Sequence, residues 1–166
     1  YSILEERGQI ELTTTPYYHP IMPLLMMDGW TFEDGIYVGK DSWPEDVEMH
    51  LNKGVSLFQQ HTGVVPSGMW PSEQAVSPAM VQPVSNVGID WMVSDEMILE
   101  QSKDVNGLNP NVEDPRVLFT PWKATGDEGG EVSVIFRDRV ISDRIAFEYG
   151  SMLSLIHISE PTRRYR

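Results

Sequence analysis

Apolar positions recur at helical spacing in one long segment of the chain, residues 45–61. Its apolar residues follow one another at intervals of four, four and three positions: Val47, Leu51, Val55 and Phe58. This spacing places them on one stripe of a helix, with polar residues on the other faces. Gly63 suits the end of that helix, since glycine readily adopts the left-handed conformation that closes a helix.

Shorter patterns on either side of this helix predict strands alternating with helices. Four runs are typical of strands: residues 8–14, 64–70, 89–94 and 132–136. Weaker helical patterns cover residues 79–86, a segment from Asp95 or Glu96 to Lys103, and residues 142–149. Residues 104–131 are rich in Asn, Gly, Pro and Asp, which predicts a long loop. The alternation predicts an α/β fold built from βα units around a parallel sheet.

Composition narrows the class of protein. The chain has 166 residues, which allows one domain with a real core, and no Cys, which excludes disulfides and thiolate metal sites. Asp and Glu number 25 against 12 Lys and Arg, a net charge of −13 that argues against nucleic acid and anionic membranes as partners. The four His form no H-E-x-x-H pattern, so we predict neither a metal nor another cofactor. No basic-then-apolar signal segment opens the chain, and we expect a cytoplasmic location; the pattern indicates no particular oligomeric state.

Acidic and aromatic residues follow each predicted strand. The residues concerned are 16–20, 70–73, 95–96 and 137–138. In βα folds, ligands bind where the carboxyl ends of parallel strands open into loops, so these residues are candidates for one site. Aromatic faces pack on sugar rings, and carboxylates accept hydrogen bonds from hydroxyl groups. The pattern therefore favours a neutral, polyhydroxylated ligand.

Four blocks in order resemble glycoside hydrolase family 57, the family of α-amylases and 4-α-glucanotransferases. The blocks are Gly8–Leu25, Gly68–Glu73, Asp90–Glu96 and Phe136–Phe147, and the similarity extends over roughly residues 8–152. The resemblance implies a partial (β/α)7 barrel and an α-glucan substrate. It also implies a retaining mechanism, in which a Glu is the nucleophile and an Asp is the proton donor.

Glu73 matches the nucleophile of the family by its position in the second block. The alternative is that Glu73 is an acid at the start of a helix, where it would complement the helix dipole. The block that carries the family's proton donor has no match in this chain, and neither Asp95 nor Asp138 matches it. We therefore expect the chain alone to be inactive on maltooligosaccharides.

The other site residues are predicted to bind or orient the sugar at the rim of the sheet. They are Tyr18, His19, Trp70, Asp95, Glu96, Arg137 and Asp138. Structural alternatives stay open for three of them. His19 could pack under the Pro-rich loop, Asp95 could cap a helix, and Asp138 could pair with Arg137.

The end of the chain has a different origin in our interpretation. Residues 153–163 resemble a translated sequencing-library adaptor over eleven consecutive positions. We accordingly predict that residues 1–152 are a fragment of the catalytic barrel and that residues 153–166 derive from the adaptor.

Two further functions remain as alternatives. A non-catalytic carbohydrate-binding protein could use the same aromatic residues, although such modules are usually β-sandwiches without alternating helices. A metal-dependent mannosidase-like or deacetylase-like barrel would need an Asp and two His around one point, for which Asp95, Asp138 and His19 are the nearest candidates.

Overall fold

The computed structural model describes residues 1–26 and 42–149. The predicted adaptor-derived tail, residues 153–166, lies outside the described residues. The described chain forms two compact units: residues 1–94 with 119–136, and residues 95–118 with those from 137 onward. Within the described residues, every helix is too short or too polar to cross a membrane.

The sheet has five strands in the order β1-β2-β3-β5-β4. Their bounds are β1 Thr13–Thr14, β2 Gly68–Met69, β3 Trp91–Asp95, β4 Trp122–Thr125 and β5 Glu131–Arg137. β2 pairs in parallel with both β1 and β3, as the alternating pattern predicts. β4, which the pattern does not predict, pairs antiparallel with β5, so the sheet is mixed rather than parallel throughout.

The long helix is the element that sequence periodicity predicts best. α3 runs over Pro44–Thr62, and Gly63 ends it in the left-handed conformation with a φ of 77°. Val47, Leu51 and Gly54 are its buried residues, and the helix packs against β1. α3 therefore packs against the strand that is followed by the loop containing Tyr18 and His19, two of the predicted site residues.

The remaining helices are short. They are α1 Ser2–Glu6, α2 Met22–Leu25, α4 Pro78–Asn86, α5 Glu96–Gln101, α6 Pro115–Leu118 and α7 Arg139–Asp143. α4 and α5 confirm the predicted helices at those places. The long loop predicted over residues 104–131 is wrong, since α6 and β4 both lie inside it. The last helix begins at Arg139 rather than residue 142, and a π-helical turn, Arg144–Glu148, continues it.

Methionine dominates the core around the parallel strands. Met69 of β2 and Met92 of β3 are neighbours in register, and each is about 1% exposed. Met22 and Met80 are equally buried on α2 and α4. Unbranched thioether side chains adapt to irregular gaps, which suits a sheet whose first two strands pair over only two residues each.

Glu11 ties the amino ends of the three parallel strands together. Its Oε1 accepts a hydrogen bond from the Ser67 hydroxyl at 2.5 Å and another from the Trp91 indole N–H at 2.7 Å. Ser67 directly precedes β2, and Trp91 begins β3. The bond from Ser67, and then the bond from Trp91, lower the pKa of Glu11 below its ordinary value of 4.5.

Glu11→Gln is expected to lower the free energy of unfolding at neutral pH by about 1 kcal/mol, since Glu11 is exposed and its hydrogen bonds are partly screened. Because the pKa of Glu11 is lower in the folded state, its contribution is complete above a pH of about 4.5. The contribution is lost as the pH falls through the folded value. Urea unfolding across this range should show the two proteins converging at low pH. Glu48→Gln on the exposed face of α3 is the control for the loss of one carboxylate charge. A difference that stays constant with pH would contradict this prediction.

Candidate active site

The loop after β1 is held against α3. The Tyr17 N–H donates to the His50 carbonyl at 3.1 Å, and His50 Nδ1 contacts the Tyr17 carbonyl in return. The His19 N–H donates to the Pro16 carbonyl at 2.9 Å, which closes a tight turn. This turn presents Tyr18 and His19 at the carboxyl end of β1.

The loop after β2 carries Glu73. The Trp70 N–H donates to the Thr14 carbonyl at 2.8 Å, so the pairing of the first two strands continues to the start of this loop. Glu73 then lies in a short 3₁₀ turn, Ser72–Gln74, and α4 begins only at Pro78. Glu73 is therefore an acid in the first turn of this short 3₁₀ segment and not in the first turn of α4.

Both loops hold non-glycine residues in the left-handed backbone region. Within residues 1–26 and 42–149, four such residues have a positive φ: Tyr18 at 62°, His19 at 54°, Glu73 at 54° and Gln74 at 57°. This conformation costs free energy for residues with a Cβ, and such strain concentrates at functional sites. The two loops are thus shaped by their surroundings rather than by local preference.

His19 and Glu73 meet between the two loops. His19 Nε2 lies 3.8 Å from Glu73 Oε1, and the opposite ring nitrogen, Nδ1, lies 3.0 Å from the Thr15 hydroxyl. The His19 and Glu73 side chains are 48% and 73% exposed. The exposure contradicts the alternative that His19 packs under the Pro-rich loop. Both groups are therefore accessible from solvent.

Exposed aromatic rings accompany this pair. Tyr18 is 83% exposed and Trp70 is 45% exposed, so both present ring surface to solvent. The Tyr17 ring lies 4.4 Å from that of Tyr18. Hydrogen bonding and charge interaction with Tyr18 raise the pKa of Tyr17 above its ordinary value of 10.0.

A shallow groove adjoins the two tyrosines. It has a volume of about 430 Å³, and one exposed face of α3 forms its other wall. Its residues are Tyr17, Tyr18, Asn52, Lys53, Ser56, Leu57 and Gln60. Neither His19 nor Glu73 is among them, so the groove does not include that pair.

In the second unit, Asp95 is held by two sets of donors. Its Oδ1 accepts the Met97 N–H at 3.0 Å, which caps α5, and its Oδ2 accepts Arg137 Nε at 2.8 Å. Arg137 also contacts Asp143 at 3.2 Å through Nη1. The helix cap that was the alternative for Asp95 is therefore present. Its carboxylate orients Arg137 as well.

Asp138 and Glu96 lie at helix starts. Asp138 Oδ1 accepts the Ile141 N–H at 2.9 Å and so caps α7. The alternative of an ion pair between Asp138 and Arg137 is wrong, because Arg137 binds Asp95 and Asp143 instead. Glu96 is the first residue of α5 and is half-buried.

Replacing Asp95 by Asn and by Ala should separate its two structural roles. Asn keeps an oxygen that caps α5 but loses the charge, so we expect a loss of about 0.5–1 kcal/mol in the free energy of unfolding. Ala also loses the cap, which adds about 1 kcal/mol. Urea unfolding at low and high salt measures both losses. Salt should reduce the charge-dependent part of each loss, although only in part because the ion pair is half-buried, and should leave the contribution of the cap unchanged. Equal losses for the two variants would show that the cap contributes nothing.

Metal ligands do not converge in the described part of the chain. No three His, Asp or Glu side chains among residues 1–26 and 42–149 are placed to hold one ion. The mannosidase-like or deacetylase-like alternative therefore gains no support from this arrangement.

Two polar residues that were not among the predicted site residues contact His19 or the loop that carries Glu73: Thr15 and Ser94. Thr15 binds His19, and the Ser94 hydroxyl donates to the Gln74 carbonyl at 2.9 Å. A signal for Ser94 exists in the sequence. It occupies an inward position of an alternating strand, two residues after the buried Met92, and a buried hydroxyl needs a partner.

Comparison with known proteins places this geometry in a family. The model of glycosyl hydrolase family 57 matches residues 1–165. The chain is 27% identical over 94 residues to alpha-amylase 1 from Dictyoglomus thermophilum, which covers 57% of this chain and 11% of that protein. The chain thus spans about a tenth of that relative.

Solved structures share the fold at low identity. A 4-alpha-glucanotransferase from Thermococcus litoralis matches 88% of this chain and 19% of its own, with a TM-score of 0.59 and 20% identity. An alpha-amylase from Thermotoga maritima matches 87% of this chain and 23% of its own, with a TM-score of 0.64 and 18% identity. The predicted α/β fold, as part of a (β/α)7 barrel, is confirmed. Since the family model matches nearly the whole sequence, the chain belongs to glycosyl hydrolase family 57.

Proposed function

We propose that this chain is part of a retaining glycoside hydrolase or glucanotransferase acting on α-glucans, with Glu73 as the nucleophile. The observation that carries the proposal is the placement of Glu73. Its carboxylate is exposed at the carboxyl end of β2, in a left-handed turn, and lies 3.8 Å from His19. Family membership and relatives named as an amylase and a glucanotransferase support an α-glucan substrate.

In the first half of the reaction, a carboxylate oxygen of Glu73 attacks C1 of the sugar. The new bond from this oxygen to C1 forms as the bond from C1 to the glycosidic oxygen breaks. The departing oxygen takes a proton from an acid. The family resemblance assigns this role to an Asp, and the sequence block that carries that Asp has no match in residues 1–152. Water or another sugar hydroxyl then releases the glycosyl group. We still expect this chain alone not to hydrolyse maltooligosaccharides.

The surrounding residues would bind and orient the sugar. The exposed rings of Tyr18 and Trp70 offer stacking surfaces, and His19 can hydrogen-bond a hydroxyl or the Glu73 carboxylate. Asp95, Glu96, Arg137 and Asp138 stay predictions as sugar ligands. Asp95 and Arg137 already bind each other, so they would act as a fixed pair. The cytoplasmic location also stays a prediction.

A reagent that carries its own leaving group tests the proposal without a proton donor. A 5-fluoro-α-glucosyl fluoride loses fluoride on attack at C1, and the fluorine at C5 slows release of the glycosyl group. Peptide mass spectrometry of the treated chain should locate one glycosyl adduct on Glu73. A folded chain that takes no adduct, or takes it elsewhere, would contradict the proposed nucleophile. Saturable binding of maltooligosaccharide without an adduct would favour the carbohydrate-binding alternative.

A further inference from the structure

Ser94 joins the buried core of the sheet to the loop that carries Glu73. It lies on β3, its exposed fraction is 0%, and its hydroxyl donates to the Gln74 carbonyl at 2.9 Å. β3 pairs with β2, the strand from which the Glu73 loop departs. The contact therefore reaches the loop from the neighbouring strand, across the top of β2.

The loop needs such a contact because two consecutive residues in it are left-handed. Glu73 and Gln74 have φ values of 54° and 57°. Two hydrogen bonds lie within the turn: the Gln74 N–H donates to the Pro71 carbonyl at 2.9 Å, and the Ala75 N–H to the Ser72 carbonyl at 3.0 Å. Residues with a Cβ disfavour this backbone, so the turn persists only where its surroundings determine it.

We propose that Ser94 is a positioning residue for the nucleophile: its buried hydroxyl fixes the Gln74 carbonyl and thereby holds the Glu73 carboxylate beside His19. The inference rests on the proposed function of Glu73. Ser94 is buried, so it acts through the loop rather than on the sugar. Its hydroxyl restricts rotation of the peptide between Gln74 and Ala75. The backbone of Gln74 is thereby fixed, and with it the direction of the adjoining Glu73 side chain.

Removal of the hydroxyl should slow the chemical step without weakening binding. For labelling by 5-fluoro-α-glucosyl fluoride, we expect Ser94→Ala to lower the maximal inactivation rate about tenfold, since misplaced reacting groups lose rate steeply. The reagent concentration at half-maximal rate should stay unchanged. Ser94→Cys keeps nearly the same volume and a weak hydrogen-bond donor. Its maximal inactivation rate should therefore lie between that of the unsubstituted chain and that of Ser94→Ala. It also serves if the Ala variant does not fold.

A matched control separates positioning from general destabilisation. The Ser102 hydroxyl also donates to a backbone carbonyl, that of Ile98, at 2.6 Å, and Ser102 lies outside the proposed site. Ser102→Ala should label at the unsubstituted rate. One result would overturn the positioning role. In it, Ser94→Ala keeps the inactivation rate constant of the unsubstituted chain, and the yield of labelled protein falls only in proportion to the unfolded fraction.

A second readout keeps the two proposals apart. If the unsubstituted chain takes no label, the proposed nucleophile fails, and the Ser94 contact is tested by hydrogen exchange. Faster exchange of the Gln74 and Ala75 amides in Ser94→Ala, with the β3 amides unchanged, would show that Ser94 holds the turn. Unchanged exchange at both amides would overturn that role.

Discussion

Glu73→Gln is expected to slow covalent capture of 5-fluoro-α-glucosyl fluoride by at least about a thousandfold, because the amide cannot act as the attacking group. The amide is nearly the same size as the carboxylate and keeps one hydrogen-bond acceptor. The side chain is 73% exposed, so the substitution leaves no buried group unpaired. Thermal unfolding should therefore change little while labelling disappears.

The control is a second exposed Glu in the same unit. Glu128→Gln alters the turn between β4 and β5 and removes the same charge from the chain. It should label at the unsubstituted rate, which shows that net charge alone does not govern capture. If Glu73→Gln is labelled at an undiminished rate on another carboxylate, Glu73 is not the nucleophile, and the role that the family resemblance implies for it is wrong.

Elements with strong local patterns were predictable from the sequence. α3 repeats its apolar stripe over several turns and ends at a glycine, so both its existence and its end follow from local rules. β5 has the alternating burial that its Val and Phe residues predict. In both cases the residue pattern that predicts the element lies within the element itself.

β4 lacked such a signal because it depends on its partner. It has only four residues, of which Lys123 and Thr125 are exposed, and it follows Pro121. Its backbone is ordered by antiparallel pairing with β5. Pairing between segments is not visible in local composition, so the composition of this stretch predicts a loop.

The site was predictable in position but not in conformation. Glu73 follows a strand, and the strand-end rule together with the family block places it at the sheet's carboxyl edge. Its left-handed backbone is followed by Gln74, whose carbonyl is held by Ser94, a residue twenty positions further along the chain than Gln74. Asp95 ends β3 and Asp138 follows β5, but helices begin directly after them, and both carboxylates cap those helices.

Gly54→Ala is expected to destabilise the protein although it improves helix propensity. In an isolated helix this change would stabilise by about 1 kcal/mol. Here a Cβ at position 54 would lie 2.6 Å from the Thr15 carbonyl oxygen and 3.3 Å from the Tyr17 amide nitrogen. These are backbone atoms, which cannot rotate away, and overpacking of this kind costs about 1–3 kcal/mol or more. We expect a net loss of about 1–2 kcal/mol in the free energy of unfolding, measured in urea.

Ser56→Ala provides the matched comparison, because Ser56 is exposed on the same helix and its replacement adds helix propensity without a steric clash. Gly54→Ala should also reduce the labelling rate of Glu73, since displacing α3 from β1 moves the loop that places His19 beside the carboxylate. If Gly54→Ala stabilised the protein as Ser56→Ala does, α3 and β1 could not approach as closely as described. The position of His19 next to Glu73 would then lose its structural basis.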